Sequence, residues 1–467
     1  MDPDSRQTPN LTRRGLLRCL GGNLGSLALT GFLADAAQHA TASGSLAAHA
    51  PHFVPRAKRV IVLFMFGGPS HLDTFDPKPR LIREHGQPLP FQAPRVLSFP
   101  LRHGNLVGSP FRFQRHGQSG TWISDRFPHL AGVADALCVV NSVHCSNSRH
   151  GGAVLEWHTG TDTFIRPSLG SWVTYGLGSE NRDLPGYITV CQALSQGGAN
   201  NFGSAFLPAV FQGTPLGTGG VSAKEARIPF IRSRTPRRLQ QLEVAMLREL
   251  ATQQGTDLQG EARLASFELA LRMQNEAPLV QDLARETAAT HRLYGLDDAA
   301  TEDFGRQCLM ARRFAERGVR FVQCNSNGWD HHSDLRQGMT RMCRAVDRPI
   351  AGLLADLKQR GLLDETLVIW GGEFGRTPTA ENANGRDHNP HGFTIWMAGG
   401  GVRAGQTYGK TDDYGYYAVE DKVHFHDLHA TILHLLGLDH QRLTFRYAGR
   451  DFRLTDVHGE VVEGLLS

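Results

Sequence analysis

The sequence is short of sulfur, of net charge and of long apolar runs, and each shortage excludes something. It has seven cysteines, and none stands in the CxxC spacing of a thiolate metal site. Cys138, Cys145, Cys191, Cys308, Cys324 and Cys343 are scattered along the main part of the chain, which predicts buried thiols rather than a disulfide framework. Lysine and arginine total 49 against 45 acidic residues, a formal charge of +4. So slight an excess gives no footing to a nucleic-acid partner. No run approaches the roughly 18 apolar residues of a spanning helix, so no stable membrane span is expected.

Present instead, at the start of the chain, is a segment with the three parts of a twin-arginine signal peptide. Thr12-Arg13-Arg14-Gly15 supplies the paired arginines. A weakly apolar stretch from Cys19 to Leu33 follows, interrupted by Gly21, Gly22, Asn23, Gly25 and Ser26. Ala34-Asp35-Ala36 then offers small residues at the two positions a signal peptidase reads. Residues 1–43 are therefore read as signal and linker, removed from the fold. The expectation is export by the twin-arginine machinery to the periplasm or the outside of the cell.

The rest of the chain, 44–467, reads as an α/β domain. Arg59–Phe66 is a continuous β-branched and aromatic run, the pattern of a strand buried on both faces in a mainly parallel sheet. Arg320–Cys324, Thr366–Trp370 and Phe393–Ala398 are similar. Helical segments are expected at Glu302–Arg317, Met339–Arg360 and His426–Leu436. Helix alternating with buried strand predicts a doubly wound sheet sandwiched by helices. Between them, about 236–295 is a polar block with Leu239, Leu242, Met246 and Leu250 at helical spacing. It reads as a helical insertion that packs on or caps the sheet, a substrate lid being the alternative.

The chain holds 22 histidines, many beside Asp, Gly or Asn. They gather with carboxylates around the ends of the expected strands, the edge where open α/β sheets bind ligands. The first strand runs into Gly67–Asp76, the second into Asn327–Asp334 and the third into Gly371–Arg376. Gly385–Gly392 precedes the fourth, and Ser146–Gly152 opens a short helix ending near His158. Gathering so many carboxylates and imidazoles is costly unless a cation pairs with them. Mixed Asp, Glu and His donors suit a divalent ion, zinc first, with manganese, magnesium or calcium as alternatives. Arg376 and Arg386 are candidate bidentate clamps for a phosphate or sulfate oxyanion.

Nearly the whole of 44–467 resembles the secreted family catalogued as domain of unknown function 1501. The likeness is carried by GGPSHLDTFDPKP, NSRHGGAVLEWHTG, RPSLGSWVTYGLGSEN, GWDHHSDL, GGEFGRTP, GRDHNPHGFTIWMAGGGV and the segment Tyr414–His440. That family in turn looks like a member of the alkaline phosphatase and sulfatase superfamily, which implies a metal centre at the strand ends. On this resemblance Asp73, Asp330, His332, Glu373 and His388 are metal ligands, with Asp387 and His391 as further candidates. The superfamily's Ser, Thr or formylglycine-forming Cys has no clear counterpart. His150 falls in that slot, Ser146 and Ser148 are close by, and Cys145 lacks the Cys-x-Pro-x-Arg pattern. His150 is thus a candidate nucleophile, general acid–base group or ligand, with water on the metal as another attacking group. The resemblance implies an exported, metal-dependent hydrolase of small or polymer-borne phosphate or sulfate esters. The alternative is a non-catalytic exported binding or surface-assembly protein that keeps the fold and the metal.

Overall fold

The computed structural model describes residues 46–93, 104–229, 231–255, 258–382 and 384–467. The expected twin-arginine segment, 1–43, lies outside them. The centre of the fold is one nine-stranded sheet. Its strands are β1 (Arg59–Phe66), β2 (Leu137–His144), β3 (Tyr187–Gln192), β4 (Thr214–Thr218), β5 (Phe321–Asn327), β6 (Thr366–Gly371), β9 (Phe393–Ala398), β10 (Gln406–Tyr408) and β11 (Val423–His424). The hairpin strands β7 (Gly375–Glu381) and β8 (Gly385–Asn389) form a separate two-stranded sheet. Across the main sheet the order is β10-β2-β9-β6-β1-β5-β3-β4, with β11 pairing β2.

β1 sits in the middle, parallel to β5 on one side and β6 on the other. Alternation along β1 divides the core in two. Ile61, Leu63 and Met65 face one apolar cluster, built with Phe304 and Leu309 of α5 (Glu302–Glu316) and Ile350 of α6 (Leu335–Gln359). Val60, Val62 and Phe64 face the other, with Trp157 of α1 (His150–Thr159), Trp172 of α2 (Leu169–Leu177) and Ile432 of α7 (Phe425–Leu435). A strand apolar at every position from Val60 to Phe66 is what burial on both faces demands. Mainly parallel strands with helices on both faces make this the doubly wound α/β fold expected.

One strand runs the other way. β9 is antiparallel to both β6 and β2. The loop that precedes β9 therefore lands on the same edge as the loops that follow β1, β5 and β6. That reversal explains how a histidine-bearing segment before a strand joins clusters that come after strands.

The six cysteines named above are all buried and unpaired, as expected for interior thiols. Among the described residues no helix is long and apolar enough to cross a membrane. The insertion is a helical hairpin, α3 (Arg237–Gln254) and α4 (Leu258–Gln281). α4 inserts Met273, Ala277 and Val280 into the core beside α5. α3 departs from expectation: its stripe of Leu239, Leu242, Met246 and Leu250 faces solvent, each residue between 48% and 63% exposed. Helical spacing marked an apolar face correctly, but the sheet is already covered by α4 and does not reach it.

Candidate metal centre

Four side chains from three places meet at the carboxyl edge of the sheet. Asp330 and His332 stand in the loop after β5, His388 in β8 and His150 at the first turn of α1. His332 Nε2 and His388 Nε2 lie 2.9 Å and 3.4 Å from Asp330 Oδ1 and 3.0 Å from each other. His150 Nε2 is 3.2 Å from the other oxygen, Oδ2, and makes no hydrogen bond of acceptable geometry.

The far nitrogen of each ring decides what the near one can do. His332 Nδ1 faces the Glu381 carboxylate at the end of β7. His388 Nδ1 lies 2.8 Å from the Ser148 carbonyl, which can only accept. His150 Nδ1 lies 2.6 Å from Glu373 Oε1. Each Nδ1 therefore carries a proton, so a ring that is neutral presents the lone pair of its Nε2 inward. Two nitrogen lone pairs and a carboxylate oxygen then face one another with no proton between them. Such an arrangement requires a cation or an extra proton. Around a tetrahedral ion with bonds of about 2.0–2.1 Å, ligand atoms stand about 3.3 Å apart, close to the observed separations. The residues fit a divalent ion of the nitrogen- and oxygen-loving kind, each imidazole backed by an orienting acceptor.

Without a cation, protons take its place. Burial acts to lower the His150 pKa, but the Asp330 carboxylate beside Nε2 and the hydrogen bond to Glu373 outweigh this and raise it to about 9. His332 is likewise raised against burial by Asp330 and Glu381. His388 goes the other way, lowered to about 4 mainly by burial. Burial alone would raise Asp330, yet His150, His332, His388 and Arg376 hold its carboxyl far below the usual range. Its side chain remains 41% exposed, so the cluster opens to solvent.

Several expected residues take other roles. Asp73 is not brought to the cluster: it is fully buried and paired with Arg386, Nε to Oδ2 at 2.8 Å, and it also accepts from Ser70. Glu373 is likewise turned to other partners: its carboxylate accepts from the Gly67 N–H at 3.0 Å and from His150. His391 lies against the rings of Tyr416 and Tyr417 instead. Asp387 stands with Glu381 on the outer side of His332. Neither arginine is an oxyanion clamp. Arg376 and Arg386 are fully buried. Arg376 donates to the carbonyls of Gly67, Gly68 and Arg386 and to Asp330. Arg386 is occupied by Asp73 and the Thr377 carbonyl.

Ser146 Oγ pairs with His424 Nε2 at 3.1 Å, and Ser148 contributes its carbonyl to His388. Burial pushes the Cys145 thiol well up, which makes it inert. His426 and Asp427 are not part of the cluster: His426 Nε2 lies 2.8 Å from the Gly160 carbonyl, and Asp427 caps α7 with His424. The sequence reading missed Glu381. It also missed the aromatic rings of Phe374, stacked on His388 at 4.4 Å, and Phe66, stacked on His150 at 6.1 Å.

Comparison with known proteins places the chain in sequence and, more faintly, in structure. A family model described as "Protein of unknown function (DUF1501)" matches residues 57–466. No curated protein matches the sequence. Among solved structures, the lipoteichoic acid synthase LtaP from Listeria monocytogenes aligns at 11% identity and a TM-score of 0.36. That alignment covers 92% of this chain and 82% of LtaP. The alkaline phosphatase from the Antarctic bacterium TAB5 aligns at 9% and 0.35, over 82% and 99%. The PsFucS1 sulfatase from Pseudoalteromonas sp. aligns at 14% and 0.34, over 82% and 68%.

Three outcomes follow from this geometry. Arg386→Met leaves the Asp73 carboxylate buried without its partner and is expected to destabilise the fold by about 3–5 kcal/mol in urea titration. Glu381→Gln weakens the acceptor that fixes His332, and a drop of about 10- to 100-fold in zinc affinity is expected by competition with a chromophoric chelator. In metal-free protein the raised His150 pKa contributes stability that is full below 6.5 and lost as pH rises through about 9. The urea midpoint should therefore fall across that window, and the fall should flatten in His150→Gln.

Proposed function

We propose, on the premise that this chain belongs to the DUF1501 family, that it is an exported hydrolase of phosphate or sulfate esters dependent on one divalent metal ion. The observation that carries this reading is the sidedness of Asp330. Its Oδ1 is shared by the inward nitrogens of His332 and His388 and by the Arg376 guanidinium, whereas His150 alone faces Oδ2. Three protein ligands with a neighbouring group left over is the make-up of a catalytic site, whereas four ligands close a structural one. The ligands in this reading are Asp330, His332 and His388, with zinc the first choice.

A divalent ion so held supplies Lewis-acid stabilisation of an ester oxyanion and lowers the pKa of water. The chain's own residues do the rest. Glu373 accepts from His150 Nδ1 and is itself held by the Gly67 N–H, so an imidazolium at His150 is stabilised and its ring direction fixed. His150 is thereby suited to take a proton at Nε2 and return it to the leaving oxygen. Phe66 and Phe374 pack on the rings of His150 and His388 and keep water off their faces. Arg376, itself out of contact with solvent, sets the plane of the Asp330 carboxylate. The ester is small or polymer-borne, and the twin-arginine machinery is the export partner, in keeping with residues 1–43 of the sequence. The enzyme then acts in the periplasm or outside the cell.

A second reading keeps the metal without catalysis. It is favoured by the engagement of Ser146, one of the two serines near the nucleophile slot, with His424. The two readings part at His150. If the protein is an ester hydrolase, His150→Gln should retain one metal per chain and lose about 10²- to 10⁴-fold in turnover of chromogenic phosphate mono- and diesters or sulfate esters. Loss of metal in His150→Gln, together with no turnover by the wild type on any ester, would favour the binding protein. Metal content unchanged in Asp330→Ala would sink both.

A further inference from the structure

Among the surfaces that the metal centre leaves unexplained, the outer face of α3 stands out. Helices of this length take most of their stability from packing an apolar face rather than from propensity. α3 (Arg237–Gln254) has no fully buried residue among those described, and only Gln240, Val244 and Ala251 are half-buried. Its side toward α4 is held by polar contacts: Gln240 with Gln274, Arg237 with Asn275 and Arg248 with Glu268. Val244 and Ala251 are half-buried on that side, but the larger apolar side chains of the helix mostly lie elsewhere. At about 100° per residue Leu239, Leu242, Met246 and Leu250 fall within about 80° of arc, a continuous stripe turned to solvent. A stripe of this kind marks an interaction surface.

The charges beside the stripe choose its occupant. Arg238 and Glu249 are eleven positions apart and so lie within about 20° of each other on one flank, separated by about 16 Å along the axis. A parallel copy of α3 would lay this flank along the opposite flank of its partner, which carries Glu243 and no arginine, and so would leave Glu249 without a basic partner. An antiparallel copy, with its twofold axis near residues 243–244, brings Arg238 against Glu249 of the partner subunit at both ends. The same arrangement sets the helix dipoles head to tail and lets the leucines and methionine interdigitate across the axis. A membrane surface is a poorer match, because it calls for basic residues along the polar flanks, and here Glu243 and Glu249 are interspersed with the arginines.

We propose that the outer face of α3 is a self-association surface through which two copies of this chain pair by antiparallel α3 helices. A pair of helices about 27 Å long provides an interface at the small end of the range for specific complexes. The dimer is therefore a reversible one, populated at micromolar concentrations and above. This reading stands apart from the metal centre and holds whether or not the protein is an enzyme.

Sedimentation velocity of the full chain over a hundredfold concentration range tests it, with three charge variants of exposed residues. The wild type should pass from monomer to dimer. Arg238→Glu and Glu249→Arg, each of which sets like charges against each other at two places, should each weaken the dimer by about tenfold. The double variant R238E/E249R should return to within about threefold of the wild type, since only an antiparallel pair restores both contacts. Leu242→Glu with Met246→Glu should leave monomer throughout, at unchanged far-ultraviolet circular dichroism. A wild type that stays monomeric over the whole range would overturn the proposal. So would a double variant no better than the single ones, or binding to anionic phospholipid vesicles in place of dimerisation.

Discussion

The guanidinium of Arg376 holds the working edge of this fold together. Its donors reach the carbonyls of Gly67 and Gly68 beyond β1, the carbonyl of Arg386 in β8 and the carboxylate of Asp330 beyond β5. Three separate stretches of chain thus meet on one planar group whose geometry admits little variation. The position of Asp330 follows from it, and the positions of the three imidazoles follow from Asp330. An exposed carboxylate on a loop would otherwise sample many orientations, and the convergence of three ring nitrogens on it would be lost. The arginine is best understood as the frame of the site rather than as its hand.

That distinction marks where the sequence was legible and where it was not. The strands were visible because burial on both faces demands unbroken apolar runs, and Phe393–Ala398 stands as expected to the residue. The direction of that strand was not visible, since periodicity is the same for either sense. His150, Asp330, His332 and His388 stood out through the family resemblance and through the repeated gathering of Asp and His at strand ends, and the fold brings the four together. The arginines were misread for a physical reason. A guanidinium that clamps a substrate and one that clamps backbone carbonyls have the same sequence, and only burial separates them. Glu381 lay beyond reach in another way. It meets His332 across forty-nine positions because of the β7–β8 hairpin, and nothing local to either residue foretells that pairing.

The helical block shows the opposite error. Leu239, Leu242, Met246 and Leu250 carry a plain amphipathic signal, and the natural inference is burial against the sheet. The hairpin in fact needs only α4 to cover the core, through Met273, Ala277 and Val280. A periodic apolar stripe states that a helix has a face to hide. It does not state from which molecule the cover comes.

The accounting of charge bears on how many cations the site can hold. Asp73, the residue that the sequence places first after β1, has its negative charge met by Arg386 with both side chains wholly out of water. Glu373 accepts hydrogen bonds from the His150 Nδ1 and the Gly67 N–H. Asp330 is left with one oxygen for the paired histidines and one toward His150. Glu381 and Asp387 lie behind His332, where Glu381 already accepts from its Nδ1. An ion drawn to them would have to displace that proton. The two arginines set fixed positive charge against Asp73 and one oxygen of Asp330, and the donors left facing one another are those of His150, Asp330, His332 and His388.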